Sequence, residues 1–285
     1  MKKTIFIAIS MLLLAACGKE NTQEQNVMRF QFGYPGTRAT ATGFEANDAV
    51  SLYAVQWVGG VQYPLQIGGN YLNNEKITFD GTDWNPERTL YWADTPCDFY
   101  ALYPYQAEIT SIERTPFNLA ADQNANDGYE VSDLLFAYAE NKSRTDGPVL
   151  LQFKHMMSKI KVNLVMGPNF VGDIPNDVVA HIYNTITSCT VNLATGSVEK
   201  DAFGARNTIT MHKIDNEHFE AVVVPQNIEK RTPLIELTMG GIAYLLETSL
   251  SFRPGYAHTI TVTLNTSPDQ EQIEISIDPG YGGWD

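Results

Sequence analysis

The sequence predicts an all-β protein, and three observations carry that prediction. Short runs rich in β-branched and aromatic residues recur along the 285 residues, clusters of Gly, Pro, Asn and Asp separate them, and helical periodicity is scarce. Many short strands with turn signals between them indicate β-sandwich architecture, and two successive sets of about seven indicate two tandem sandwiches. The expected organisation is a signal peptide over 1–16, a flexible tether over 17–26, a first sandwich over 27–147 and a second over 148–285.

In order along the chain, Met28, Phe30, Phe32 and Tyr34 alternate with Arg29, Gln31 and Gly33, the period-two pattern of a strand with one buried face, and Pro35-Gly36 stops it. Strands are then expected at Val50–Trp57, Lys76–Phe79, Thr89–Trp92, Asp98–Tyr103 and Leu134–Tyr138, with a hairpin turn at Asp80-Gly81-Thr82-Asp83. Pro148–Leu164 reads as one long strand whose apolar phase changes. Leu151 and Phe153 hold odd positions, whereas Ile160, Val162 and Leu164 hold even ones. A β-bulge near Met156-Met157-Ser158, or a strand that moves between sheets there, accounts for the slip. Further strands are expected at Val179–Tyr183, Cys189–Leu193, Thr208–His212, Phe219–Val224, Leu234–Met239, Tyr244–Leu250 and His258–Leu264.

The N-terminus addresses the chain to a membrane. Met1-Lys2-Lys3 is cationic, and Ile5–Leu14 is apolar but too short to span a bilayer as a mature helix. Leu14-Ala15-Ala16-Cys17 resembles a bacterial lipobox, at which a signal peptidase cuts before a diacylated cysteine. Lipid on Cys17 would anchor the protein outside the cytoplasm, each buried methylene contributing roughly 0.8 kcal/mol. An ordinary secretory peptide with an incidental cysteine is the alternative. The formal net charge of -14 argues against nucleic acid, which needs a basic stripe. Beyond Cys17 only Cys97 and Cys189 remain, too few for a disulfide framework.

Several motifs resemble one family in that family's order. They are Thr37-Arg38-Ala39-Thr40, Phe44-Glu45-Ala46-Asn47-Asp48 before Val50-Ser51-Leu52-Tyr53, Leu90-Tyr91-Trp92, Asp98–Tyr105, Ser132–Ala137 and Leu151–Ile160. Together they resemble the Bacteroidales fimbrillin-like proteins, subunits of type V pili. The resemblance implies transthyretin-like β-sandwich domains, export as an outer-membrane lipoprotein, assembly with other pilus subunits by strand exchange, and a role in adhesion to a host protein or glycan. It also implies an arginine-specific protease as partner, with Arg38 as the matching cut position. Cleavage there would remove the lipid tether together with the strand of Met28, Phe30, Phe32 and Tyr34, exposing sheet edge and apolar groove. At the other end Ile273, Ile275 and Ile277 alternate strictly within Gln272–Ile277, which marks a candidate donor strand. Pairing of that segment within its own domain is the equal alternative.

Other sites carry less. His155 shares the odd face of Leu151 and Phe153 and reads as a core or interface histidine. His212 and His218 flank Asp215 in an expected hairpin turn, although histidine is a common metal ligand. Asp122–Asp133 begins like a calcium loop but has Asp127 at the sixth position and Asp133 at the twelfth, where glycine and glutamate belong. No nucleophile elbow, zinc-type histidine helix or phosphate loop occurs, so no enzyme, metal or cofactor is indicated. Tyr91, Trp92, Tyr100, Tyr103 and Tyr105 could stack on sugars, which leaves a non-polymerising glycan-binding surface lipoprotein as the second reading.

Overall fold

The computed structural model describes residues 26–35, 43–229, 231–265 and 275–284, with backbone alone over 275–281. Cys17, Arg38 and Ile273 lie outside the described residues. The strands in chain order are β1 (Phe30–Gly33), β2 (Ala49–Val58), β3 (Val61–Gln62), β4 (Leu72–Phe79), β5 (Trp84–Pro86), β6 (Cys97–Tyr103), β7 (Thr115–Asn118), β8 (Leu135–Lys142), β9 (Val149–Gln152), β10 (Lys154–His155), β11 (Ser158–Met166) and β12 (Val179–Ile186). They continue as β13 (Ser188–Asn192), β14 (Ser197–Lys200), β15 (Arg206–Thr210), β16 (His212–Lys213), β17 (His218–Val223), β18 (Asn227–Ile228), β19 (Pro233–Met239), β20 (Ile242–Glu247), β21 (Leu250–Ser251), β22 (Tyr256–Leu264) and β23 (Ile275–Gly283). Helix is limited, among the described residues, to α1 (Gly128–Ser132), a 3-10 turn at Arg144–Asp146 and 3-10 geometry at Asn26. The chain is all-β.

Three sheets carry most of the structure. One runs β10-β8-β6-β2-β4-β5, with β3 extending β2; a second runs β16-β17-β11-β22-β23; a third runs β15-β12-β19-β20. The first sheet faces the parallel pair β1-β9 across an N-terminal core of Met28, Phe30, Phe32, Leu52, Phe99, Leu151 and Phe153, among others. The second and third sheets face each other across a C-terminal core that includes Ile160, Val162, Ile182, Phe219, Leu237 and Ile260.

Between these lies a middle core, and it explains why some strands show no alternation. Along β2, Val50, Leu52 and Ala54 enter the N-terminal core, while Tyr53 and Val55 enter the middle one. Along β6 every residue is buried, Phe99 and Ala101 on one face, Tyr100 and Leu102 on the other. In β17, Phe219, Ala221 and Val223 face the C-terminal core, while Val222, and Val224 just past the strand, face the middle one. The small sheet β14-β13-β7 closes this middle layer, Cys189 of β13 lying opposite Phe117 of β7.

The expected long strand at 148–164 divides where its apolar phase changes. β9 pairs with β1, β10 with β8, and β11 with β17 and β22. Met156 and Met157, both buried in the middle core, make the passage from one sheet to the next. The phase slip is thus a change of sheet. Val149, Leu151 and Phe153 lie beyond the 147/148 boundary read from sequence, yet they complete the N-terminal core. The expected strand at Thr89–Trp92 is not formed; it is replaced by a single bridge between Tyr91 and Val27. The hairpin at Asp80–Asp83 is present, with Phe79 opposite Trp84 and Gly81 at φ 100°. Asp80 Oδ1 accepts from the backbone N–H groups of Thr82 and Asp83, each at 2.8 Å, and these bonds hold its carboxyl below the usual range.

Candidate functional site

The first strand sits in a trough that its own side chains fill. Met28, Phe30 and Phe32 are buried on one face of β1, whereas Arg29 and Gln31 are exposed on the other. On one side β1 runs parallel to β9, from Phe30 opposite Val149 to Gly33 opposite Gln152. Val149 N donates to Arg29 O at 2.8 Å, and Phe153 N donates to Gly33 O at 2.9 Å. On the other side the main-chain bonds lie ahead of β1, with Met28 N donating to Leu90 O at 2.8 Å and Trp92 N to Asn26 O at 2.9 Å. Beyond them, two open clefts of about 430 and 470 Å³ run along β1 and are lined on the far side by Asp83 and Trp84 of the β4-β5 hairpin.

Aromatic packing therefore carries much of the hold. Phe32 meets Trp84 edge-on at 4.6 Å between centroids and Phe153 at 5.8 Å, and Phe30 meets Phe99 at 6.3 Å. Tyr34 continues the row against Phe44 at 4.9 Å. Ring pairs in such edge-on geometry contribute roughly 0.5–1.5 kcal/mol beyond the area they bury.

Past Phe32 the trough ends in a polar centre. Tyr34 Oη donates to Asp133 Oδ2 at 3.0 Å, and His155 Nδ1 shares a hydrogen bond with Asp133 Oδ1 at 2.8 Å. The carboxylate is acceptor-only, so Nδ1 carries the proton. The His155 ring stacks on Trp284, with centroids 4.1 Å apart and planes 2° apart. Trp284 also lies 5.6 Å from Lys159 Nζ, which pairs with Glu220 at 3.0 Å. Burial pushes the Glu220 carboxyl up, but Lys159, Lys161 and the Tyr129 hydroxyl outweigh it and hold the group below its ordinary value. Tyr129 Oη donates to Glu220 Oε2 at 2.9 Å, and burial beside that carboxylate raises the phenol well above its ordinary value.

The last strand has a different seat. β23 pairs antiparallel with β22 at the end of its sheet, Leu264 opposite Ile275 and Val262 opposite Ile277. Within a single chain this is the intradomain pairing that the sequence left open beside a donor role. Trp284 follows directly and is buried, its backbone N–H donating to Gly255 O at 2.9 Å.

The remaining sequence candidates resolve individually. Asp133, read as a failed calcium ligand, has both oxygens engaged by Tyr34 and His155. Asp215 caps the turn between β16 and β17, accepting from His218 N at 2.8 Å and contacting its Nδ1 at 2.9 Å. Of the five aromatics considered for sugar stacking, Tyr91 is exposed, while Trp92, Tyr100 and Tyr103 are buried. Cys97 lies in the N-terminal core and Cys189 in the middle one, both as free thiols. Sequence reasoning missed the partnership of Asp133 with His155, because nothing in their spacing announces it. It also missed an open cleft of about 710 Å³ lined by Gln62, Tyr63, Ile67, Tyr100 and Glu113.

Fold and site together define an all-β protein whose first strand packs its aromatic side chains into the N-terminal core. The chain belongs to the fimbrillin-like family, whose profile matches residues 37–279. A curated relative named "Putative fimbrium tip subunit Fim1C", from Bacteroides ovatus, is 28% identical over 148 residues, covering 46% of this chain and 26% of that protein. The chain thus spans about a quarter of that relative's length. Among solved structures, a "putative cell adhesion protein" from Bacteroides uniformis matches with a TM-score of 0.69 at 22% identity, over 91% of this chain and 99% of that one. A "fimbrial protein" from Bacteroides vulgatus matches with a TM-score of 0.56 at 14% identity, over 91% and 100%. At such identities the likeness is one of fold.

Proposed function

We propose that this chain is a subunit of a fimbria that serves cell adhesion, exported as a lipoprotein through Cys17 and assembled by exchange of strands between subunits. The observation that carries the proposal is the seat of β1. A four-residue strand supplies large apolar side chains to a core built mostly from distant sequence, so its removal opens a groove of matching shape. Arg38 follows the strand closely, and cutting there would detach lipid and plug together. Ile273, Ile275 and Ile277 supply the candidate donor strand that fills a neighbour's groove. In domain terms the proposal keeps two sandwiches, with the changeover at Met156-Met157 instead of 147/148.

The test is to treat the purified chain with an arginine-specific protease. A mature N-terminus at Ala39 followed by a ladder of polymers is expected. Clean cleavage at Arg38 that yields monomer alone would overturn the strand-exchange reading. A second reading, a non-polymerising glycan-binding surface lipoprotein, takes its support from the cleft beside Tyr63, where an exposed ring stands next to Gln62 and Glu113. Glycan-array binding by the uncut chain that is lost in Tyr63→Ala would favour it.

A further inference from the structure

We propose that Asp133 and His155 form a latch holding both ends of the folded chain at once, so that displacing the first strand loosens the last one. The inference rests on the strand-exchange reading and adds a regulation to it. One carboxylate is shared: Asp133 accepts from Tyr34 on the N-terminal segment at 3.0 Å and from His155 at 2.8 Å. One ring is shared as well. Tyr34 meets the His155 ring edge-on at 6.0 Å, and Trp284 lies flat on it at 4.1 Å. His155 and Asp133 are both nearly shut off from water, with side chains 0% and 6% exposed.

The consequence of removing Tyr34 follows from those contacts. Asp133 loses a hydrogen-bond donor where water does not readily replace it. His155 loses the ring that fixes its edge. Among the described residues His155 Nε2 has no hydrogen-bond partner, so the bond from Nδ1 to Asp133 and the ring contacts with Tyr34 and Trp284 set the ring's orientation. A reoriented imidazole no longer presents its face to Trp284, which is the anchor at the end of β23. Opening of the acceptor groove and release of the candidate donor strand then become one event. An uncut subunit offers neither, and premature polymerisation is blocked at both ends.

Native-state amide hydrogen exchange over Ile275–Gly283 in the uncut chain tests this. Tyr34→Phe removes the hydroxyl and keeps the ring; exchange in β23 should rise about tenfold or more, the loss of one hydrogen bond to a charged group. Phe30→Leu weakens the N-terminal core without touching Asp133; it should speed exchange in β1 and β9 and leave β23 within about twofold, that is, within a few tenths of a kcal/mol. Unchanged β23 protection in Tyr34→Phe, or equal loosening of β23 by both variants, overturns the latch. Cutting at Arg38 separates the two ideas. Polymers that form while β23 exchange stays unchanged leave strand exchange standing and sink the latch, whereas faster β23 exchange without polymers supports the latch and sinks strand exchange.

Discussion

The first and last strands of this chain differ in length and in the way they are paired. β1 has four residues, and its hold comes from side chains buried among Phe99, Phe153 and Trp84. β23 has nine, and it pairs with β22 along a ladder that runs without interruption from Tyr256 opposite Gly283 to Leu264 opposite Ile275. A strand held by its side chains leaves a hole when it goes. An edge strand held by main-chain bonds can exchange one ladder for another of similar strength. In the strand-exchange proposal the first is the plug and the second the donor. Their surroundings match the distinction: the N-terminal core is rich in Phe, Trp and Tyr, while the C-terminal core is built largely of Ile, Val and Leu.

The largest expected effect comes from deleting each strand in turn. A chain beginning at Ala39 loses Met28, Phe30 and Phe32; one buried Phe→Ala change alone costs roughly 3–5 kcal/mol, against a typical total stability of about 5–15. Its N-terminal sheet should lose amide protection while β12 and β19 keep theirs, and a synthetic peptide of residues 26–38 should restore it. A chain ending at Asn265 should keep both outer cores protected. Greater damage from the C-terminal deletion would break the comparison. Next in size is Phe32→Ala, expected to cost about 3–5 kcal/mol in denaturant unfolding because both Trp84 and Phe153 lose a ring partner.

A third test concerns the ion pair beneath Trp284. Glu220→Gln leaves Lys159 buried without its counter-charge, a change that costs about 3 kcal/mol or more. It should loosen β23 more than β1, since Lys159 Nζ lies over the Trp284 ring, 5.6 Å from its centroid. The same carboxyl predicts an acid limb. Its folded value is depressed, so its contribution is fully present above the unfolded carboxylate range near pH 4 and is lost as pH falls through the lower folded value. Thermal midpoints below about pH 4 should fall less steeply in Glu220→Gln than in the parent chain.

What could be read beforehand follows from how many faces a strand buries. β1 buries one face, so Met28, Phe30, Phe32 and Tyr34 alternate visibly and the strand was legible. The passage at Met156-Met157 was legible too, because a change of sheet shifts the apolar phase. β2 and β6 bury two faces, which erases the alternation, and with it any sign of a middle core between the N-terminal and C-terminal ones. β7, at Thr115–Asn118, is short, contains Pro116 and takes its register from β13 far along the chain, so no local pattern marks it. Leu90-Tyr91-Trp92 misled in the other direction: its apolar residues pack against the Val27–Met28 segment through isolated bonds. Asp133 and His155 were each noticed for the wrong company, since a calcium-like spacing and an apolar phase describe neighbours in sequence and not the partner across the fold.

The two buried cysteines give the smallest perturbation and the sharpest reading of which core opens. Burial pushes the Cys97 thiol up to about 11, with Asp98 adding to the effect, and the Cys189 thiol up to about 12. Thiolate is the reactive form, so neither should label at pH 8 in the intact fold. Cys97 shares the N-terminal core with Phe30 and Phe32, whereas Cys189 faces the middle core and lies near Phe117 O at 3.5 Å. In the chain beginning at Ala39, a maleimide should therefore modify Cys97 and spare Cys189, and the 26–38 peptide should restore protection. Labelling of both at similar rates would mean that the two cores open together, and that β1 is an integral part of one cooperative fold instead of a separable plug.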